Sequence, residues 1–191
     1  MTVFVSMLRA VNVGGSGRLK MEPLREAYES LGLRDARSLL QSGNVLFRSA
    51  IKSREQLSRR IMQEIDRRFG LEVEVLIRTL AEIESIFQRS PILSPRADPG
   101  KLLVMFLSKV PDARAQAALL KWHKGPEMLE IRGPEVYLYY PDGVGRSRLS
   151  TAVIESHLDT SGTARNWNTL TKLLEAGRAL ERGNASANKG E

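Results

Sequence analysis

The residues able to do chemistry in this 191-residue chain gather in four short segments. The first is Arg9-Ala-Val-Asn-Val-Gly-Gly-Ser-Gly-Arg-Leu-Lys20, with three glycines and three cations between an apolar run and a helical pattern. Glycine permits the backbone handedness that turns successive N–H groups toward an anion, and a following helix start adds partial positive charge. Arg9, Asn12, Gly14, Gly15 and Lys20 are its candidate anion ligands. The second, Pro141-Asp-Gly-Val-Gly-Arg-Ser-Arg-Leu149, repeats this chemistry through Gly143, Gly145, Arg146 and Ser147, the serine being placed to cap a helix. The third, Gln41-Ser-Gly-Asn44, offers Ser42 and Asn44, residues that suit a tight hairpin turn better than a ligand site. The fourth, Arg165-Asn-Trp-Asn-Thr169, places Arg165 and Asn166 on a final strand where packing gives them no role, with Asn168 or Thr169 capping the helix beyond. Arg9, Arg146 and Arg165 are read as charge clamps, Asn12 and Asn166 as orienting groups, and the glycines with Ser147 as a backbone cradle.

The spacing excludes several chemistries. Neither the Walker pattern nor the dinucleotide G-x-G-x-x-G occurs in the glycine segments. There is no cysteine and only His123 and His157, so no zinc ligand set is expected, nor any disulfide. The nucleophile elbow G-x-S-x-G and a carboxylate cluster are both missing, leaving the question of enzymatic activity open. Both histidines sit in helical contexts that suit packing or surface roles. No metal and no cofactor is indicated. If there is catalysis, Arg and Lys electrostatics acting on a phosphorylated substrate are its expected basis.

The elements that must position these segments follow from periodicity. Val3 to Leu8 predicts a buried strand. Met21, Leu24, Ala27, Tyr28 and Leu31 form a helical stripe closed by Gly32. Ala36 to Leu40 and Val45 to Phe47 make a hairpin, Ser53 caps a helix to Phe69, and Glu72 to Ile77 returns as a strand. After the proline-rich stretch Ser90 to Gly100, read as a linker, the order repeats. Leu102 to Leu107 is a strand, and Asp112 to Trp122 a helix with Ala115, Ala118, Leu119 and Trp122 inward. Strands at Glu127 to Ile131 and Val136 to Tyr140, a helix from Ser147 to Leu158 and a strand from Thr163 to Trp167 complete it. Helices at Leu80 to Phe87 and Leu170 to Leu180 are appended, and the tail from Arg182 to Glu191 is expected to be disordered. A βαββαβ order generates a four-stranded antiparallel sheet with two helices on one face. The expected fold class is therefore α+β, two tandem ferredoxin-like units, over 1–90 and 102–181, with residues 91–101 between them.

The motifs Leu8-Arg-Ala-Val-Asn-Val-Gly-Gly15, Gln41-Ser-Gly-Asn-Val45, Tyr140-Pro-Asp-Gly-Val-Gly-Arg-Ser-Arg-Leu149 and Arg165-Asn-Trp-Asn-Thr-Leu-Thr-Lys-Leu173 resemble, in order, those of the bacterial family called domain of unknown function 1697. The resemblance runs from residue 1 to about 176. It implies a cytosolic bacterial protein of tandem ferredoxin-like character without an established activity. The family usually has Gly at the position of Ala10 and Lys at that of Arg148, which questions any need for positive φ at residue 10 and changes the geometry of an anion contact at 148.

Net charge is +7, spread over both halves: 16 Lys and Arg against 12 acids in residues 1–100, and 13 against 10 in 101–191. Such a modest, distributed excess suits a solvated surface more than a nucleic-acid footprint; the expected partner, from the four segments, is an anionic small molecule, with nucleic acid as the alternative. The rival draws on Tyr137 and Tyr139, which share a strand face and could stack bases. A scaffold that recruits another protein chain is the third reading. No stretch reaches the roughly 20 apolar residues of a membrane span, so the expectation is a cytoplasmic protein, monomer or homodimer, without membrane partners.

Overall fold

The computed structural model describes residues 1–11, 19–92 and 98–187, with side chains through residue 183. Asn12, Gly14 and Gly15 lie outside the described residues. Six α-helices and two four-stranded antiparallel sheets form among those described, which is the mixed α+β character expected.

The chain divides into two compact units, residues 1–86 with 172–191, and residues 87–171. In the first, β1 (Thr2–Leu8), α1 (Met21–Ser30), β2 (Arg34–Leu39), β3 (Asn44–Ser49), α2 (Arg54–Phe69) and β4 (Val75–Thr79) give the strand order β2-β3-β1-β4. α3 (Leu80–Gln88) follows. Alternation along β1 sends Phe4 and Leu8 to the face covered by α1 and α2, where they join Tyr28, Phe47, Leu57, Ile61 and Ile65. Ser6 on this face is satisfied by Tyr28 Oη at 2.8 Å and by the Val45 carbonyl at 3.1 Å, as a buried hydroxyl must be. Ser53 caps α2 by accepting from Gln56 N–H, as the sequence predicts.

The second unit holds β5 (Leu102–Leu107), α4 (Ala113–Trp122), β6 (Met128–Arg132), β7 (Glu135–Tyr139), α5 (Thr151–Leu158) and β8 (Gly162–Asn166), with strand order β6-β7-β5-β8. Met105, Leu107, Leu119, Val136, Leu138, Ile154 and Leu158 form its core. The opposite face carries Val104, Phe106 and Tyr137, also buried.

α6 (Trp167–Ala187) begins in the second unit and continues, from Lys172, in the first. A Cβ on Gly177 would overlap Leu80 Cδ1 and stand 3.3 Å from Leu46 Cδ2, so this glycine permits close approach to the second face of the first sheet.

Four sequence expectations need correction. α5 starts at Thr151, not at Ser147: Ser150 is its cap, accepting from Val153 N–H, and residues 144–146 instead form a 3-10 turn. The cap of α6 is Asn166, whose Oδ1 accepts from Thr169 N–H at 2.8 Å, rather than Asn168 or Thr169. On α4 only Leu119 is buried; Ala118 and Trp122 face outward, because an alanine-rich helix carries too few large side chains to fix which stripe is inner. The helical assignment of α6 runs past Arg182 to Ala187, into the tail expected to be disordered.

Candidate functional site

Two turns of the second unit enclose a cavity of about 670 Å³. One wall is the turn that leaves α4, with Trp122, His123, Lys124, Gly125 and Glu127; the other is the loop after β7, with Asp142, Gly143, Arg146, Ser147 and Arg148.

The β7 loop is closed at its base. Tyr140 Oη donates to the Leu149 carbonyl at 2.8 Å, Tyr140 N–H donates to the Lys101 carbonyl, and Lys101 Nζ reaches the Pro141 carbonyl at 2.6 Å. Burial, with the Glu127 carboxylate as a lesser cause, pushes the Tyr140 hydroxyl up to about 12, so it remains a donor across ordinary pH. Gly143 takes φ of 85°, the left-handed region in which glycine alone is unstrained.

Glu127 links the walls. Its Oε1 accepts a hydrogen bond from Ser147 Oγ, while Ser147 Oγ accepts from Leu149 N–H at 2.9 Å. The Ser147 hydroxyl proton is therefore directed at a carboxylate. His123 Nε2 lies 2.8 Å from the Glu127 carbonyl and 3.9 Å from its Oε2. The Ser147 hydrogen bond above all, then the backbone and His123, holds the Glu127 carboxyl below its ordinary range against the opposing effect of burial. This is an anchoring arrangement: the hydroxyl is turned to the acid, not to the imidazole, so it lacks the nucleophile-to-histidine bond of an activated serine. Gly125 makes room for it, since a Cβ there would overlap Glu127 Oε2 and stand 3.2 Å from His123 Cε1.

Around this anchor stand Lys124, Arg146 and Arg148, all exposed and lining the cavity. None of the three has a side-chain hydrogen bond or ion pair among the described residues. Trp122 stands 44% exposed at the same cavity, its ring 4.9 Å from that of His157.

The remaining segments behave differently. The amide of Gly143 donates to the Tyr140 carbonyl, that of Arg146 to Gly143 and that of Ser147 to Val144, so these N–H groups serve the turn and do not form the expected cradle. Gly145 shares the turn but does not line the cavity. Arg165 is buried; its Nη1 donates to Thr163 Oγ1 at 2.6 Å and to the Ala164 carbonyl at 2.9 Å. Burial pushes the guanidinium down to about 10, which leaves it charged at neutral pH. Contrary to expectation, Arg165 and Asn166 thus have structural work, one inside the unit and one as a helix cap.

In the first unit, Arg9 pairs with Glu74 at 3.9 Å, its N–H donating to the Glu74 carbonyl. Lys20 is exposed at the start of α1 and makes no side-chain cap. Asn44 is buried and donates to Ser42 Oγ at 2.8 Å and to the Leu39 carbonyl at 3.2 Å, which stabilises the hairpin turn. That turn meets the first segment: Leu8 N–H donates to the Gly43 carbonyl, and a Cβ on Gly43 would overlap Val11 Cγ2. Ala10 adopts φ of 55°, so the left-handed conformation occurs there despite the Cβ.

Sequence reasoning missed Trp122, Lys124, Gly125 and Glu127 as cavity residues. The available signal was the Lys124-Gly-Pro126 turn directly after a helix; what it lacked was any local indication that this turn lies beside a loop about twenty positions further along.

Comparison with known proteins adds the following. The family model described as "Protein of unknown function (DUF1697)" matches residues 1–137. Among solved structures, a conserved bacterial protein from Streptococcus pneumoniae is similar with a TM-score of 0.70 at 22% identity, covering 92% of this chain and 98% of that one; at this identity the likeness concerns the fold. No curated protein sequence matched. No helix among the described residues is long and apolar enough to cross a membrane, and no group of three or more metal-ligating side chains occurs among them.

Proposed function

Given that the chain belongs to the DUF1697 family of proteins of unknown function, whose name supplies no chemistry, we propose that the cavity of its second unit binds a phosphorylated small molecule of nucleotide type. One observation carries this reading: Lys124, Arg146 and Arg148 line a single cavity without a carboxylate partner among the described residues. Guanidinium forks suit phosphate oxygens, and two in one loop suit a bidentate grip. Trp122 at the same cavity supports a ring-bearing ligand, since an indole offers a face for stacking. The binding groups are side chains. Glu127, Ser147 and Gly125 are positioning residues that hold the two turns together.

The strand orders support reading each unit as ferredoxin-like, a topology shared with RNA-binding modules. The stacking that such modules use is disfavoured here, because Tyr137 is 1% exposed. A phosphorylated small molecule accounts for the cations without an open aromatic sheet face.

Tryptophan fluorescence tests the ring-stacking part. Adenosine diphosphate is expected to alter the emission of the wild-type protein and to leave that of Trp122→Phe unchanged, the remaining Trp167 being buried against Phe87 at 4.4 Å. An equal change in both proteins excludes stacking on Trp122.

A further inference from the structure

The first unit has a cationic pocket of its own, of about 490 Å³, lined by Arg34, Asp35, Arg37, Arg48 and Leu180 among others. Its geometry comes from an irregularity in β2. Residues three apart on a regular strand point to opposite faces. The register here pairs Arg34 with Arg48 and then Arg37 with Leu46, so β2 uses three residues where β3 uses two. The extra residue returns Arg37 to the face that carries Arg34, Leu46 and Arg48. Asp35 occurs within the irregularity at φ of 54°, a conformation costly for most residues but tolerated by aspartate.

Charge is concentrated rather than dispersed by this arrangement. Arg34 stands directly across from Arg48, and like charges in that relation are destabilising. Arg48 is 8% exposed, and its guanidinium donates to the Leu180 carbonyl and lies 3.5 Å from Asp35 Oδ2. Arg34 and Arg37 have neither a side-chain hydrogen bond nor an ion pair among the described residues. Among the described residues, Asp35 is the one carboxylate lining the pocket. Two positive charges thus remain uncompensated around a space with room for a small anion.

We infer that this pocket is a second oxyanion site, independent of the cavity in the other unit, and that it takes a phosphoryl dianion, as inorganic phosphate or as a small phosphate monoester. A dianion matches the uncompensated charge. Arg34 and Arg37 are the gripping forks, and Arg48, fixed by Leu180 and Asp35, is the inner contact.

Amide chemical shifts of the full-length protein, titrated with inorganic phosphate at ionic strength held constant by sodium chloride, report each site separately. Phosphate is expected to move the amides of Arg34 to Arg37 and of Arg48 along a saturating curve. In Arg34→Ser/Arg37→Ser, the Arg48 curve should shift to weaker binding by about tenfold for each guanidinium removed. The Arg48 curve should be unchanged in Arg146→Ser/Arg148→Ser, so failure of the second-unit reading leaves this one standing. A parallel titration with glycerol 3-phosphate separates the sources: tighter binding than phosphate assigns the site to esters, equal or weaker binding to the free ion. An Arg48 amide that does not respond beyond the effect of sodium chloride, or that responds equally in the Arg34/Arg37 variant, overturns the proposal. Both substituted arginines are exposed, and retention of the dispersed wild-type spectrum verifies folding.

Discussion

Ala10 shows what a single backbone angle decides. At φ of 55° its Cβ crowds the following carbonyl, which costs roughly 1 to 2 kcal/mol; glycine removes that strain but gives back about 0.5 to 1 kcal/mol through the freedom of its unfolded chain. Ala10→Gly is therefore expected to stabilise the protein by up to about 1.5 kcal/mol, read as a higher urea midpoint at unchanged slope. A lower midpoint would mean that the left-handed conformation is not what the residue adopts in solution. That an alanine stands beside the glycine-rich segment was legible in the sequence, but its left-handed backbone was not, because nothing local states which angle the residue takes. Arg165 and Asn166 teach the converse. Their polarity was legible, whereas their partners, Thr163 Oγ1 and the Thr169 amide, become visible only once the strand and helix ends are in place.

Elements with large, evenly spaced apolar side chains were the most legible. β5 coincides with the predicted Leu102 to Leu107, and Ser53 caps α2 as expected. Where two serines compete, as Ser147 and Ser150 do before α5, the outcome is set from outside: Glu127 takes the Ser147 hydroxyl and leaves Ser150 to cap. The junction of α1 and α2 depends on Glu64, whose carboxylate accepts from Arg67, Arg68 and, at 3.1 Å, from Ser30 at the end of α1. The Arg67 hydrogen bond first, then Arg68 and Ser30, hold the Glu64 carboxyl down at about 2, against burial. A carboxyl whose folded value lies below its unfolded one stabilises the protein above the unfolded value, and that contribution is lost as pH falls. Wild-type stability should consequently decline between about pH 4.5 and 2 more steeply than that of Glu64→Gln. Parallel declines in urea midpoint would remove Glu64 as a source of acid sensitivity.

At the scale of the whole chain, the net charge of +7 pointed to anionic partners but not to their place. Among the described residues, each unit has a cation-lined pocket, with Arg34, Arg37 and the Asp35-paired Arg48 in the first and Lys124, Arg146 and Arg148 in the second. The family match to residue 137 includes the wall of the second-unit cavity that bears Trp122 and Lys124, while the wall with Arg146 and Arg148 lies beyond it. A similar solved structure covers 92% of the chain, yet at 22% identity speaks only to its fold, so the proposed function is argued from side chains. Isothermal titration of adenosine diphosphate into wild-type protein and into Arg146→Ser/Arg148→Ser tests them most directly. Saturable heat in the wild type, with affinity about tenfold weaker per guanidinium removed, is the predicted result; an isotherm that the double substitution leaves unchanged, or wild-type protein that gives no heat, would contradict it.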